Sequence, residues 1–412
     1  MVVTAATEPR RPHFAQDGMR LDPRDPAFFR DPWPAYAAMH ERGASHIWLD
    51  YGFRYFCAHA DVHALLRDPR FGRVEPMDPP PSRPGMEAFD AVERYSLLEL
   101  EPPDHTRLRG RVNRAFVSRA IGRLAPAIDA RANELIERFP EEPFDLIAAY
   151  AAPLAVETIA LHLGVPRTDA DRLLTWSHAM VAMYQFGIDD RVRCAANDAA
   201  ADFSSYVRAA MGAKRSDPSD DLLSTLVRPD AARTLTDDEI VATVILLLNA
   251  GHEATVHQIG NAVAAILARP APGAWCADEG ATERMVEEAM RHDPPLHMFT
   301  RIARDACDWT DADGRRVPIG RGETVGLLLG AANRDPRRFT EPDAFDPARE
   351  PIDHVAFGGG IHFCVGAPLA RLEMRIALRT LFARLTDLRL HEVPIVADTY
   401  HFHGLERLMV TR

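Results

Sequence analysis

Residues 357–373 read FGGGIHFCVGAPLARLE, and the interpretation of the whole chain depends on this stretch. Three consecutive glycines, 358–360, allow the backbone to turn sharply and to approach another surface closely. Cys364 follows, and Pro368 suits the first turn of a helix, so the cysteine is predicted to lie just before a helix N-terminus. The helix dipole and the free N–H groups there favour a thiolate over a thiol. The stretch is thus predicted to present a soft, electron-rich ligand.

A turn that holds an inert buried cysteine is the simplest alternative, but it leaves the surrounding residues unexplained. Phe357, His362 and Gly366 stand at fixed offsets from Cys364. The stretch resembles the haem-binding loop of the cytochrome P-450 family, whose pattern is F-G-x-G-x-[HR]-x-C-x-G. The resemblance implies that Cys364 is the axial ligand of a haem b iron, and that Phe357, His362 and Gly366 occupy cofactor-binding positions. Thiolate ligation pushes electron density onto iron and favours O–O cleavage.

A second segment that resembles the family is its E-x-x-R pair, matched here by Glu288 and Arg291. The spacing of three places both side chains on one helical face, where they can form an ion pair. In the family this pair has a structural role, because it ties its helix to the segment that precedes the haem loop. Residues 331–350, AANRDPRRFTEPDAFDPARE, resemble that segment.

The haem propionates are anions and require cationic partners. Residues 104–110, DHTRLRG, resemble the family's H-T-R-x-R helix. The resemblance implies that His105 and Arg109 bind propionates, together with Arg301 and the histidine of the cysteine loop. Arg107, between them, is expected to face solvent.

Residues 249–258, NAGHEATVHQ, interrupt an apolar run within a helix predicted from about 237 to 268. His252 and His257 stand one residue further apart than the H-E-x-x-H zinc motif allows, since histidines five apart on a helix point about 140° away from each other. The histidines are therefore interpreted as bystanders. From these residues alone, close helix packing and a flat ligand lying against the small residues remain the two alternatives.

The family resemblance favours the ligand. AGHEAT (250–255) aligns with the distal-helix pattern [AG]-G-x-[DE]-T-[TS], which implies that the haem lies between this distal helix and the proximal helix of the cysteine loop. Ala250 and Gly251 are then expected to open space for O₂. Glu253 is expected to relay protons, a role that suits a buried carboxylate with a raised pKa.

The sequence departs from the family pattern at Ala254, where threonine is usual, and the next hydroxyl is that of Thr255. Three explanations stay open. Ordered water or a substrate hydroxyl replaces the threonine, or Thr255 is reached through a helix distortion, or the enzyme uses peroxide or performs a reaction other than hydroxylation.

Composition limits the other function classes. The net charge of −12, without a basic cluster, argues against nucleic acid as a partner. The polar N-terminus lacks the apolar core of a signal peptide, and no membrane anchor is expected. Five scattered cysteines fit a reducing compartment. We therefore expect a cytoplasmic protein, and a monomer.

The predicted fold is mainly α with small β-sheets, as in the cytochrome P-450 fold. Residues 1–20 are expected to be a flexible lead-in, and 21–412 a single domain with a minor β-rich part near the N-terminus. Further elements are predicted by local pattern: strands at about 46–57, 302–309 and 323–329, a loop over 74–104 and a basic helix over 105–119.

The resemblance implies a monooxygenase that activates O₂ and oxidises, most simply hydroxylates, a small to medium hydrophobic molecule. Electrons from NAD(P)H are expected to arrive through a ferredoxin and a ferredoxin reductase, which would dock near Arg111, Arg114 and Arg371. A peroxide-driven or non-hydroxylating enzyme and a non-catalytic haem sensor are the alternatives. Segments that line the substrate pocket in the family map here to mostly apolar and aromatic residues, and the resemblance implies substrate contacts by Leu247, Leu296, His297 and Phe299.

Overall fold

The computed structural model describes residues 11–74, 82–229, 235–350 and 352–412. The chain divides into two compact units. The first unit comprises Met1–Glu75, Glu287–Phe363 and Ile395–Glu406, and the second comprises Pro76–Val286, Cys364–Pro394 and Arg407–Arg412. The sequence predicted a single domain with its β-rich part near the N-terminus. The β-rich first unit also contains two later segments, because the chain returns to it twice.

Helices make up most of the regular structure. The α-helices are α1 (Pro26–Phe29), α2 (Trp33–Arg42), α3 (His59–Leu65), α4 (Glu87–Glu93), α5 (Asp104–Val112), α6 (Ser118–Gly122), α7 (Ala125–Glu137), α8 (Ala152–Leu163), α9 (Ala170–Val181), α10 (Asp190–Ser216), α11 (Leu222–Val227), α12 (Asp237–Leu267), α13 (Glu279–His292), α14 (Leu329–Ala332) and α15 (Ala367–Arg384).

The strands are short. They are β1 (His13–Phe14), β2 (Met19–Arg20), β3 (Ser45–Trp48), β4 (Phe53–Phe56), β5 (Phe71–Gly72), β6 (Phe144–Asp145), β7 (Met298–Ala303), β8 (Cys307–Thr310), β9 (Arg316–Ile319), β10 (Thr324–Leu328), β11 (Arg389–Leu390), β12 (Ile395–Val396), β13 (Leu405–Arg407) and β14 (Met409–Thr411). The prediction of a mainly α fold with small sheets is confirmed.

A seven-stranded sheet organises the first unit, in the order β1-β2-β3-β4-β10-β7-β5. β3 and β4 form an antiparallel hairpin, and Gly52 in its turn has a positive φ of 81°. β10 lies parallel to β4 and antiparallel to β7, so that Val325 is opposite both Arg54 and Arg301. Because β7 pairs with β10 on one side and β5 on the other, the backbone that carries Arg301 is fixed on both edges.

The N-terminal residues differ from the expectation of a flexible lead-in. β1 and β2 belong to the seven-stranded sheet, and the Met19 side chain is fully buried among aromatic residues. Apolar burial and strand pairing therefore order the segment from residue 11 onward. Residues 1–10 lie outside the described residues, as do residues 75–81 of the predicted loop.

The long helix α12 is central to the second unit. It begins at a capping box in which Thr236 and Glu239 satisfy each other's backbone N–H groups. Its 31 residues span about 46 Å at 1.5 Å per residue. By length and composition α12 would qualify as a membrane span, but 67% of its most apolar window is buried inside the structure. The helix packs against α8, α10 and α15, as a core helix does.

The predicted basic helix over 105–119 is interrupted. α5 ends at Val112, a 3₁₀ turn covers Asn113–Ala115, and α6 starts at Ser118. The 3₁₀ turn therefore separates His105 and Arg109, on α5, from Arg119 on α6.

Candidate functional site

The cysteine loop begins in the first unit with a glycine turn that no other residue type could adopt without strain. Gly358 and Gly360 have φ values of 69° and 66°, in the left-handed region. A Cβ atom at Gly360 would lie 2.5 Å from the carbonyl oxygen of Leu66. The neighbouring Phe357 ring is buried and lies 6.2 Å from the ring of Phe363. The backbone conformation of the residues that precede Cys364 is therefore fixed.

Cys364 opens the next segment of the second unit, three residues before α15 begins at Ala367. Burial raises the pKa of its thiol, and backbone N–H groups of Gly366 and Ala367 and the charge of Arg109 oppose that rise. α15 begins where the sequence predicts a helix N-terminus, but burial favours the neutral thiol of Cys364 over the thiolate. A bound metal would remove the proton, because a coordinating thiol is deprotonated outright.

α5 places His105 and Arg109 four residues apart, on one helical face. His105 is 2% exposed. Arg109 donates from Nε to Oδ1 of Asn113 at 2.8 Å, and burial lowers its pKa while the proximity of Cys364 raises it. Arg109 of this helix therefore lies near Cys364 within the second unit.

Arg107 differs from the expectation that it faces solvent. Its guanidinium pairs with the buried carboxylate of Glu239, with Nη1 3.2 Å from Oε2. Glu239 is also the acceptor of the capping box at the start of α12. Arg107 thus ties α5 to the N-terminus of the long helix, a link between distant segments that the sequence pattern does not reveal.

The remaining two predicted propionate ligands belong to the first unit. Arg301 lies on β7 and is 3% exposed, and its Nη1 donates to the carbonyl oxygen of Thr300 at 2.9 Å. His362 ends the 3₁₀ turn Gly360–His362 and is partly exposed.

The Glu288 and Arg291 side chains, both from the last turns of α13, form a fully buried ion pair in the first unit. Arg291 donates twice to Glu288, with both distances 2.7 Å. Its other N–H groups donate to the carbonyl oxygens of Asn333, Pro342 and Ala344 at 2.8–2.9 Å. The pair therefore fixes residues 333–346 against α13.

The small residues of α12 have different surroundings. Ala250 is exposed, whereas a Cβ atom at Gly251 would lie 2.8 Å from Cγ1 of Ile159 on α8. This differs from the expectation that both residues open space, because Ile159 already fills the position beside Gly251. Ala254 is partly exposed, and Thr255 donates its hydroxyl to the Gly251 carbonyl at 3.0 Å within α12, which runs without interruption from Asp237 to Leu267.

Glu253 is surrounded by imidazoles. Nε2 of His178, on α9, lies 3.2 Å from Oε1 of Glu253, and Nε2 of His252 lies 3.8 Å from the same oxygen. Nε2 of His257 lies 3.7 Å from Oε2. Burial raises the pKa of Glu253, and His178 opposes the rise. The interpretation of His252 and His257 as bystanders is therefore wrong, because both imidazoles lie near the Glu253 carboxylate. The i, i+4 spacing places His257 on the same helical face as Glu253, and His252 is its neighbour in the chain.

His178 was not found by sequence reasoning, since it lies 75 residues before Glu253. Its side chain is 59% exposed, against 14% for the carboxylate that it contacts. An imidazole that touches both water and a buried carboxyl can pass protons between them.

The predicted substrate residues separate into two groups. Leu247 is 5% exposed on α12 in the second unit. In the first unit Leu296 pairs with Phe402 in an isolated bridge, and Phe299 lies 3.2 Å from the position of a Cβ at Gly358.

His297 differs from its expected role. It is fully buried, its Nδ1 is 2.8 Å from the Tyr36 hydroxyl, and burial lowers its pKa to about 4. Its ring is held among the aromatic side chains of the first unit, so it is a core residue.

The predicted docking arginines also differ. Arg111 is 4% exposed and donates to the carbonyl oxygens of Thr225 and Arg228 at 3.0 and 3.1 Å. It therefore binds α11 and the residue after it. Arg114 is exposed and Arg371 partly exposed, so both are accessible to a partner.

Comparisons with known proteins agree with this architecture. The family model described as cytochrome P450 matches residues 281–395. Cytochrome P450 monooxygenase PikC of Streptomyces venezuelae is 36% identical over 383 residues, covering 89% of this chain and 87% of the relative. Vitamin D(3) 25-hydroxylase of Pseudonocardia autotrophica is 36% identical over 403 residues, covering 93% and 94%. The crystal structure of P450BioI in complex with hexadec-9Z-enoic acid ligated acyl carrier protein matches with a TM-score of 0.87 at 31% identity, covering 94% of this chain and all of that one (100%).

Fold and relatives together define a bacterial-type oxidoreductase. The chain belongs to the cytochrome P450 family, whose bacterial members include monooxygenases that hydroxylate or epoxidise organic molecules. The family implies haem, and the residues present fit it. A sulfur ligand receives N–H donors at a helix N-terminus, and the buried side chains of His105 and Arg301 supply basic groups for carboxylates.

Proposed function

We propose that the protein is a haem-thiolate monooxygenase that inserts one oxygen atom of O₂ into a hydrophobic organic molecule. The observation that carries the proposal is the placement of Cys364. It follows a glycine turn of fixed conformation and stands directly before α15, with two backbone N–H groups directed at its sulfur. When bound, haem would supply the activation of O₂.

The side chains that would hold the haem are few. Cys364 would hold the haem iron through its sulfur, with Phe357 and Gly366 shaping its loop. Four basic side chains would bind the propionates: His105 and Arg109 of α5, Arg301 of β7 and His362 of the cysteine loop. In the second unit, Arg109 is close enough to the sulfur to affect its pKa.

Glu253 would deliver protons in this reaction. It is mostly buried, its pKa is raised by burial, and its contact with the exposed His178 gives it a route to water. Ala254 contributes no hydroxyl, and the Thr255 hydroxyl is engaged with the Gly251 carbonyl. This favours ordered water or a substrate hydroxyl, rather than Thr255, as the partner of Glu253.

The substrate would be a small to medium hydrophobic molecule, contacted by Leu247, Leu296 and Phe299. Two relatives are named for oxidations of organic molecules, a mycinamicin IV hydroxylase/epoxidase and a cyclomarin C epoxidase. Electrons would come from NAD(P)H through a ferredoxin reductase and a ferredoxin. The protein would act in the cytoplasm as a monomer.

A test of this function combines binding with turnover. A library of hydrophobic molecules is screened for the spin-state change of the haem, and hits are incubated with ferredoxin, reductase and NAD(P)H. We expect a product that carries one oxygen atom from ¹⁸O₂. Label from water instead, or no product from any ligand that changes the spin state, would contradict the proposal.

A second candidate, a peroxide-driven enzyme, is favoured by one observation: neither residue 254 nor residue 255 offers a free hydroxyl beside Glu253. The Ala254→Thr variant separates the two. If alanine is adapted to the substrate, product formed per NAD(P)H consumed falls in the variant. If proton delivery is simply poor, it rises, and hydrogen peroxide alone should then support turnover by the wild type.

A further inference from the structure

The cluster around Glu253 has the composition and spacing of a metal site. We propose that His178, His252 and Glu253 bind a divalent transition-metal ion, with Zn²⁺ as the best match. The three ligand atoms are Nε2 of His178, Nε2 of His252 and Oε1 of Glu253. They come from α9 and α12, two helices of the second unit that pack against each other.

The distances between the ligand atoms support this proposal. The two Nε2 atoms lie 3.4 Å apart, and the glutamate oxygen lies 3.2 Å from His178 and 3.8 Å from His252. With metal–ligand bonds of about 2.0–2.2 Å, a tetrahedral zinc site has ligand atoms about 3.3 Å apart. The three atoms can therefore converge on one ion with side-chain shifts of a few tenths of an ångström.

The donor set selects the class of metal. Two imidazoles and one carboxylate suit Zn²⁺, and they are poor ligands for Mg²⁺ or Ca²⁺, which prefer oxygen. Three protein ligands leave a fourth position for water, as in open zinc sites. Nε2 of His257 lies 3.7 Å from the other oxygen of Glu253, so His257 stays close to the carboxylate without using Oε1.

The ligands are accessible and ready to bind. His178 is 59% exposed at the outer side of the cluster, so an ion can enter from solvent there. His252 is buried, and its Nε2 faces Nε2 of His178 at 3.4 Å, a position from which a neutral imidazole can donate a lone pair to the ion. Its other nitrogen, Nδ1, lies 3.5 Å from the Ser177 hydroxyl, which can orient the ring.

Metal binding has a functional consequence that rests on the proposed role of Glu253. An ion bound to Oε1 holds the carboxylate in its ionised form and occupies the contact with His178. Proton delivery from solvent would stop, so zinc should inhibit the NAD(P)H-driven reaction. The site is therefore a candidate for inhibition by free zinc.

The binding test uses the full-length, haem-loaded protein without a histidine tag, titrated with ZnCl₂ in a calorimeter at neutral pH. We expect one equivalent to bind. His178→Ala should weaken binding at least about tenfold, since loss of even an indirect ligand partner costs that much. His391→Ala is the matched control, because His391 is an exposed histidine outside the cluster, and it should bind as the wild type does. His252→Ala removes another of the proposed ligands, and it should also weaken zinc binding.

Two outcomes overturn the site: no stoichiometric zinc binding by the wild type, or equal binding by the wild type and His178→Ala. A separate arm adds zinc to turnover assays of the wild type and His178→Ala, and each rate is divided by the zinc-free rate of the same protein, because loss of His178 also removes the proposed proton route. Inhibition of the wild type alone supports both inferences. Zinc that binds through His178 and leaves turnover unchanged supports the site and refutes the proton role of Glu253.

Discussion

Replacement of Glu288 by glutamine should destabilise the protein far more than its small change in shape suggests. Both members of the Glu288–Arg291 pair are fully buried. Besides Arg291, the carboxylate accepts the backbone N–H of Asp346 at 2.8 Å. In the Glu288→Gln variant the guanidinium keeps its charge inside the protein without a counter-ion, and the new amide N–H₂ faces a donor. Breaking a buried pair in this way costs about 3–5 kcal/mol.

The assay is equilibrium unfolding in urea, followed by far-UV circular dichroism, for the wild type and Glu288→Gln. We expect the free energy of unfolding to fall by about 3–5 kcal/mol with an unchanged dependence on denaturant. The matched control is Asp308→Asn, which breaks the Asp308–Arg316 pair, whose side chains are 47% and 76% exposed. That change should cost no more than about 1 kcal/mol.

A loss below about 1 kcal/mol in Glu288→Gln would refute the reasoning. The double variant Glu288→Leu/Arg291→Met adds a further check. If charge pairing were the whole contribution, the double variant would recover most of the stability. Because Arg291 also binds the carbonyl oxygens of Asn333, Pro342 and Ala344, recovery should remain incomplete.

The remaining predictions concern α12 and acid stability. Glu253→Gln should lower the rate of product formation about 10²–10⁴-fold while the substrate dissociation constant from the spin-state change stays constant; an unchanged rate would exclude Glu253 from proton delivery. Gly251→Ala should cost about 1–3 kcal/mol of unfolding free energy through overpacking against Ile159, and Ile159→Val should restore part of it. Burial lowers the pKa of His162 from 6.5 to about 4. The unfolded chain therefore binds the proton first, and stability is lost as pH falls from 6.5 towards about 4, by up to about 3 kcal/mol. His162→Gln should flatten this part of the stability–pH curve measured by urea unfolding.

Local sequence patterns predicted the elements well. The Thr236–Glu239 capping box and the apolar spacing predicted α12 to within one residue of its observed end at Leu267. The glycine triplet and Pro368 predicted the turn and the start of α15. These features are determined by backbone conformation and by neighbours close in sequence, which a single chain displays directly.

Contacts between distant segments could not be predicted in the same way. The filling of the Gly251 position by Ile159 depends on how α8 packs on α12, and no local pattern encodes that crossing. Likewise, His178 meets Glu253 only because α9 packs beside α12. The buried position of Arg111 follows from carbonyl acceptors more than 100 residues away. The sequence pattern therefore predicted a proton-relay role for Glu253, but it did not predict the contact of Glu253 with His178.

The most direct test of the account is the absorption spectrum of the ferrous carbon monoxide complex. It is measured for the wild type and for Cys364→His, with Cys276→Ser as a control, because Cys276 is a buried cysteine outside residues 357–366. The account predicts the long-wavelength Soret band of thiolate-ligated haem in the wild type and the control. In Cys364→His that band should be replaced by the shorter-wavelength band of imidazole ligation. A wild type without bound haem, or a Cys364→His variant that retains the thiolate band, would contradict the central claim that Cys364 is the haem ligand.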